Sequence, residues 1–158
     1  MVVWEFIRKK IVSDQKVYLL IVIDSNGSSP GRPGFKMAVS EDGSMSGTIG
    51  GGKMEFKLVE HAKSLFDKKD SIFLKRQQHN KKDKNNSSGL ICSGSQVVAF
   101  YPIDRTYLTL IESIAKSTEG KLVFSESGIL YNRELNSPKE FISDIKDDDR
   151  WSFTEQLG

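Results

Sequence analysis

The spacing of apolar residues changes character several times along the chain. Trp4, Phe6, Ile7 and Ile11 recur at near-helical intervals, so residues 2–12 are expected to form a short amphipathic helix ending near Ser13-Asp14. Val17 to Ile23 is an unbroken run of β-formers, as in a central strand buried on both faces, and Asp24-Ser25-Asn26-Gly27 closes it with turn residues. Two prolines and two glycines within Ser28 to Gly34 impose an irregular, rigid loop and exclude a helix or a central strand. Lys36–Ser40 and Ser44–Ile49 then make a β-hairpin about Glu41-Asp42-Gly43. Gly50, Gly51 and Gly52 follow directly, and from Lys53 to Asp67 the residues Met54, Leu58, Val59, Ala62, Leu65 and Phe66 share one helical face.

Beyond that helix, Ser71–Gln78 reads as a strand, 79–88 as a polar exposed loop and 89–95 as another loop rich in small residues. Gln96–Tyr101 is a strand, expected to be stopped by Pro102. Tyr107, Leu108, Ile111, Ile114 and Ala115 mark a helix over 104–117, and Lys121–Ser125 is a further strand. In the tail, Phe141, Ile142 and Ile145 suggest a helical turn and Trp151-Ser152-Phe153 an edge strand. With no repeat and no heptads, the expected fold is α/β or α+β: a mixed β-sheet with flanking helices, one domain over 1–158.

Composition narrows the class. At 158 residues, 37% hydrophobic with nine Phe and two Trp, the chain has enough apolar area for a core. No apolar run approaches the roughly 20 residues that cross a bilayer, and a lone cysteine, Cys92, suits a reducing compartment, so the expected location is the cytoplasm. A net charge of +2 gives no general case for nucleic acid. The segment Lys68–Lys84 is locally basic, with seven basic residues against two acids, which most simply reads as solvated surface.

Three small-residue loops, 28–34, 47–53 and 89–95, each adjoin a strand, and in a shared sheet they would converge at one edge. Gly50, Gly51, Gly52 and Lys53 open a helix whose unpaired N–H groups suit an anion, phosphate above all. Gly47 to Lys53 fits the phosphate-loop spacing, but Met54 stands where Ser or Thr would hold magnesium. Ser28, Ser29 and Arg32 add hydroxyls and a guanidinium, and the same residues serve equally as a structural turn. Cys92, between glycines, is a candidate soft ligand or a small buried hydrophobe. His61 and His79 lack zinc-ligand spacing and read as packing or surface, and Asp147-Asp148-Asp149 as a solvated turn. No catalytic triad or carboxylate pair stands out.

Together these residues resemble one family. Ser28-Ser29-Pro30-Gly31-Arg32-Pro33-Gly34, Met37, Glu41-Asp42-Gly43, Gly47 to Gly52, Glu55 and Gly89-Leu90-Ile91-Cys92-Ser93-Gly94 are similar, in order and spacing, to the amino-terminal domain of the XdhC/CoxI family of xanthine dehydrogenase accessory proteins. The resemblance covers about 16–101, with Ser93 where Gly is common and Lys53 where Cys is common. It implies a non-catalytic chaperone that binds molybdenum cofactor (molybdopterin) and helps insert it into a molybdenum hydroxylase such as xanthine dehydrogenase. It also implies the Gly50, Gly51, Gly52 and Lys53 turn and Arg32 facing phosphate or pterin, and Cys92 near molybdenum. Further partners compatible with it are a cysteine desulfurase, a second copy of the chain, and a Rossmann domain supplied either as a separate subunit or as a missing C-terminal half, since the family's usual Rossmann half is not in this sequence. Two other classes stay open: a phosphate-loop nucleotide enzyme and a partner-docking module.

Overall fold

A computed structural model describes residues 2–78, 94–133 and 142–157. Helix α1 (Val2–Val12) buries Trp4, Ile7 and Ile11, as its spacing requires, and leads into β1 (Val17–Asn26). The next elements are β2 (Lys36–Ser40), β3 (Met45–Gly47), α2 (Gly52–Lys63), β4 (Phe73–Gln78) and β5 (Ser95–Ile103). A 3-10 turn (Arg105–Tyr107) then opens α3 (Leu108–Lys116), followed by β6 (Gly120–Ser125), β7 (Gly128–Asn132), β8 (Ile142–Asp147) and β9 (Arg150–Leu157). No helix among the described residues is long and apolar enough to cross a membrane.

The strands form two sheets, ordered β3-β2-β1-β5-β4 and β7-β6-β9-β8, and every pairing is antiparallel. The expected mixture of strands and helices therefore takes an α+β form. β1 is central, and all seven residues from Val17 to Ile23 are buried, because the first sheet is covered on both faces. Tyr18, Leu20 and Val22 pack with Leu58, Val59 and Ala62 of α2. Leu19, Ile21 and Ile23 point the other way, into a core with Trp4 and Ile7 of α1, Ile111 and Ile114 of α3, and Phe124 and Phe153 of the second sheet. Period-2 alternation thus feeds two separate cores from one strand.

Three expectations need correcting. β5 does not stop at Pro102 but runs to Ile103, with Pro102 in register opposite Tyr18. Its partner β4 begins at Phe73, opposite Phe100, so β5 has a neighbour on one side only at Pro102, where a missing N–H is tolerated. The helical turn expected around Ile142 and Ile145 is strand β8, paired with β9; Phe141 lies outside the described residues. Trp151 and Phe153 alternate inward along β9, which lies between β6 and β8 and is not an edge. Strand β7 was not anticipated; it returns from β6 through a tight turn at Gly128, whose φ is +139°.

Candidate functional site

Loop 28–34, the 47–53 turn and Gly94 meet at one end of the first sheet. Antiparallel pairing sets the end of β1 beside the start of β5, with Asn26 opposite Ser95 and Ser25 opposite Gln96. Loop 28–34 therefore leaves β1 where Gly94 leads into β5. Arg32 to Phe35 close a turn in which the Phe35 N–H donates to the Arg32 carbonyl at 3.0 Å. Pro33 and Gly34, with φ of +95°, occupy the two central positions that a type II turn assigns to those residue types.

Backbone meets backbone across these loops, and only glycine permits it. A Cβ on Gly94 would lie 2.2 Å from the Ser29 nitrogen, and one on Gly50 would lie 2.8 Å from the Gly31 nitrogen. One on Gly31 would lie 2.5 Å from the Ile49 carbonyl oxygen. Each contact is closer than real Cβ atoms approach, so the three glycines pin the loops together. Gly51 and Gly52 differ: nothing stands within 4 Å of a Cβ there, and their φ values of +76° and +68° select glycine by conformation. They form the open face of the cluster.

The turn into α2 already holds a carboxylate. Glu55 Oε1 accepts from the Ile49 N–H at 2.9 Å, the Gly51 N–H at 3.1 Å and the Thr48 hydroxyl. Thr48 Oγ1 in turn accepts from the Gly50 N–H at 3.1 Å. Gly51 is the N-cap and has no side chain to cap with, so Glu55 reaches back and serves the cap amide itself. Burial opposes ionisation of Glu55, and its hydrogen bonds from Thr48, Ile49 and Gly51 outweigh it, holding the carboxyl below the usual glutamate range. A phosphate cradled inside the turn would compete with this carboxylate for the same amides.

The sequence-derived candidates fall in different places. Ser28 and Arg32 are exposed on the first loop, and Lys53 is exposed at the start of α2. Ser29 is buried, and its hydroxyl donates to Gln96 Oε1 at 2.7 Å. Gly50 is packed against loop 28–34, while Gly51 and Gly52 face open space. Cys92 and His79 lie outside the described residues; Gly94, two positions after the cysteine, abuts Ser29. His61 has a packing role, its ring 5.7 Å from those of Phe73 and Phe100. Burial, with the Lys75 charge, lowers its pKa.

Sequence reasoning missed Gln96, buried, and Gln77, half-buried, which carry the polar contacts behind the loops. Gln96 Nε2 donates to Gln77 Oε1 at 3.2 Å, and Gln77 Nε2 to the Met54 carbonyl at 3.3 Å. A polar residue opening the apolar run Val97–Tyr101, next to a glycine loop, was the available signal. Among the described residues no group of three or more His, Cys, Asp or Glu could hold a metal ion.

Residues 11–76 match the model of the XdhC and CoxI family. A protein of Escherichia coli (strain K12), named uncharacterized protein YqeB, is 38% identical over 78 residues, spanning 49% of this chain and 14% of that protein. A crystal structure titled as a xanthine dehydrogenase from Bacillus halodurans superimposes with a TM-score of 0.67 at 21% identity. That superposition covers 99% of this chain and 53% of the other, and it shows a shared fold. The chain therefore spans about half the length of that neighbour and a smaller part of the curated relative.

Proposed function

We propose, starting from the membership of residues 11–76 in the XdhC and CoxI family, that the chain is an accessory protein to a xanthine dehydrogenase-type molybdenum hydroxylase, and that its loop cluster holds molybdenum cofactor before transfer. One observation carries this reading: loops distant in sequence are locked together by glycine contacts, leaving Gly51 and Gly52 as an open backbone face one loop away from the exposed Arg32. The Arg32 guanidinium and the Lys53 ammonium suit the cofactor's phosphate, while the Gly50 and Gly51 amides of the turn serve Thr48 and Glu55.

In this reading Arg32 and Lys53 supply the positive charge, Ser28 a hydroxyl, and the Gly51–Gly52 backbone a surface that a flat ring system can approach. Cys92 is assigned to the molybdenum side, soft sulfur toward a metal already bound by sulfur. Molybdenum supplies its redox chemistry in the client enzyme, and this chain's residues only bind and orient. Ser29 acts by positioning its loop, because its proton is committed to Gln96. A phosphate-loop enzyme is disfavoured by Glu55, whose carboxylate sits on the Ile49 and Gly51 amides.

The test is uptake of supplied molybdenum cofactor by the purified chain, read as molybdenum by elemental analysis and as pterin by fluorescence after oxidation. The chain is expected to retain both, Arg32→Ala and Cys92→Ser to retain less, and magnesium-dependent ATP or GTP turnover to be absent. Retention of neither molybdenum nor pterin by the unaltered chain, under conditions where a molybdenum hydroxylase loads, overturns the proposal.

A further inference from the structure

Behind the loop cluster runs a single file of hydrogen bonds. Ser29 Oγ donates to Gln96 Oε1 (2.7 Å), Gln96 Nε2 to Gln77 Oε1 (3.2 Å), and Gln77 Nε2 to the Met54 carbonyl (3.3 Å). It starts in loop 28–34, crosses β5 and β4, and ends in the first turn of α2. Gln96 is 1% exposed and Ser29 3%, so neither exchanges its partner for water at little cost. The Gly31 backbone also packs on the same amide: a Cβ there would stand 2.6 Å from Gln96 Oε1.

The direction of the file is set at its far end. A backbone carbonyl can only accept, so Gln77 must present its NH2 group to Met54 and its oxygen to Gln96. Gln96 must then present its own NH2 group to Gln77 and its oxygen to Ser29, whose hydroxyl is left to donate. Reversing either amide sets oxygen against oxygen. Among the described residues one arrangement satisfies every member of the file, and it ties the position of loop 28–34 to that of the α2 start.

We infer that Gln96 is the positioning residue of the loop cluster, a buried carboxamide that makes loop 28–34 and the Gly50–Met54 turn order and loosen as one unit. The functional weight of this coupling rests on the cluster being the cofactor site; the coupling itself does not.

Hydrogen exchange read by mass spectrometry on the full chain tests it without any ligand. Ser29→Ala is expected to speed exchange about fivefold, the factor a typical net hydrogen bond is worth, over 28–35 and also over 49–54. Gln77→Met is expected to do the same in reverse, raising exchange in 28–35 from the helix end. The double variant should add little to the larger single effect, because one break releases the whole file. Amides of Leu19 to Ile21 in the centre of β1 should stay protected, which separates loosening of the loops from loss of the fold. Effects confined to the mutated end, or single effects that multiply in the double variant, overturn the inference. Gln96→Met should loosen both ends together, and where it fails to fold, the Ser29 and Gln77 variants decide alone. Uptake of molybdenum cofactor by the unaltered chain is a separate measurement: its absence sinks the proposed function and leaves the coupling standing, and uncoupled exchange does the reverse.

Discussion

At the scale of single residues, the glycines of the loop cluster divide into two physical kinds. Gly94 is required by its neighbours, because the atom a side chain would strike, the Ser29 nitrogen at 2.2 Å, belongs to the backbone and cannot swing away. Gly51 is required by its own φ of +76°, with open space around it. Gly94→Ala should therefore cost about 1–3 kcal/mol through overpacking, and Gly51→Ala only about 1–2 kcal/mol through the left-handed backbone. Urea denaturation monitored by tryptophan fluorescence ranks them, and a milder Gly94→Ala would mean that Gly94 and loop 28–34 are less tightly joined than their contact implies. The sequence shows glycine at these positions without showing what demands it. Clash and conformation leave the same letter, and only the neighbours separate them.

At the scale of elements, hydrophobic periodicity was a reliable guide wherever one element meets one core. The face of α2 named from sequence holds Met54, Leu58, Val59 and Ala62, all buried, and omits Phe56, which is 66% exposed. Phe100 of β5, fully buried, stacks on Phe73 with ring centroids 4.7 Å apart and lies 6.5 Å from Tyr18. Phe100→Ala should accordingly cost about 3–5 kcal/mol and Phe56→Ala less than about 0.5 kcal/mol. Thermal melting followed by circular dichroism measures both, and comparable losses would contradict the assigned faces. The tail was misread for a related reason. Trp151 and Phe153 alternate as any half-buried strand does, and alternation alone cannot tell an edge from an interior position. That depends on β8, whose apolar residues Ile142 and Ile145 are spaced for a helix as readily as for a bulged strand, with the register shift falling between Ile145 and Asp147.

At the scale of the whole molecule, two sheets share one core and are joined at its rim by a buried ion pair. Lys36 of β2, its side chain 14% exposed, pairs with Glu155 of β9, 7% exposed, and Lys36 Nζ also donates to the Gly34 carbonyl at 2.9 Å. Burial raises the Glu155 carboxyl above its ordinary value of 4.5, against the attraction and hydrogen bond of Lys36. The folded state then binds more protons than the unfolded one just above that pH, so this group's contribution to stability falls as pH rises through the window. Lys36→Met removes the opposing charge, raises the carboxyl further and extends the window upward. That variant should lose about 3–5 kcal/mol near neutral pH, recover in part toward pH 5, and be largely restored by a second change, Glu155→Met. Urea midpoints across that pH range test it; a Lys36→Met chain as stable as the parent near neutrality would show that the pair does not hold the sheets.

The order of residues was enough to establish the central strand, the hairpin, three helices and the presence of three small-residue loops, because each is dictated by neighbours a few positions away. Which loops touch and which serine turns inward to Gln96 are matters of atoms up to 67 residues apart in the chain. Contacts of that kind exist only once the sheet has brought the end of β1 alongside the start of β5. Local spacing specifies the parts, and burial and backbone approach decide what each part does there.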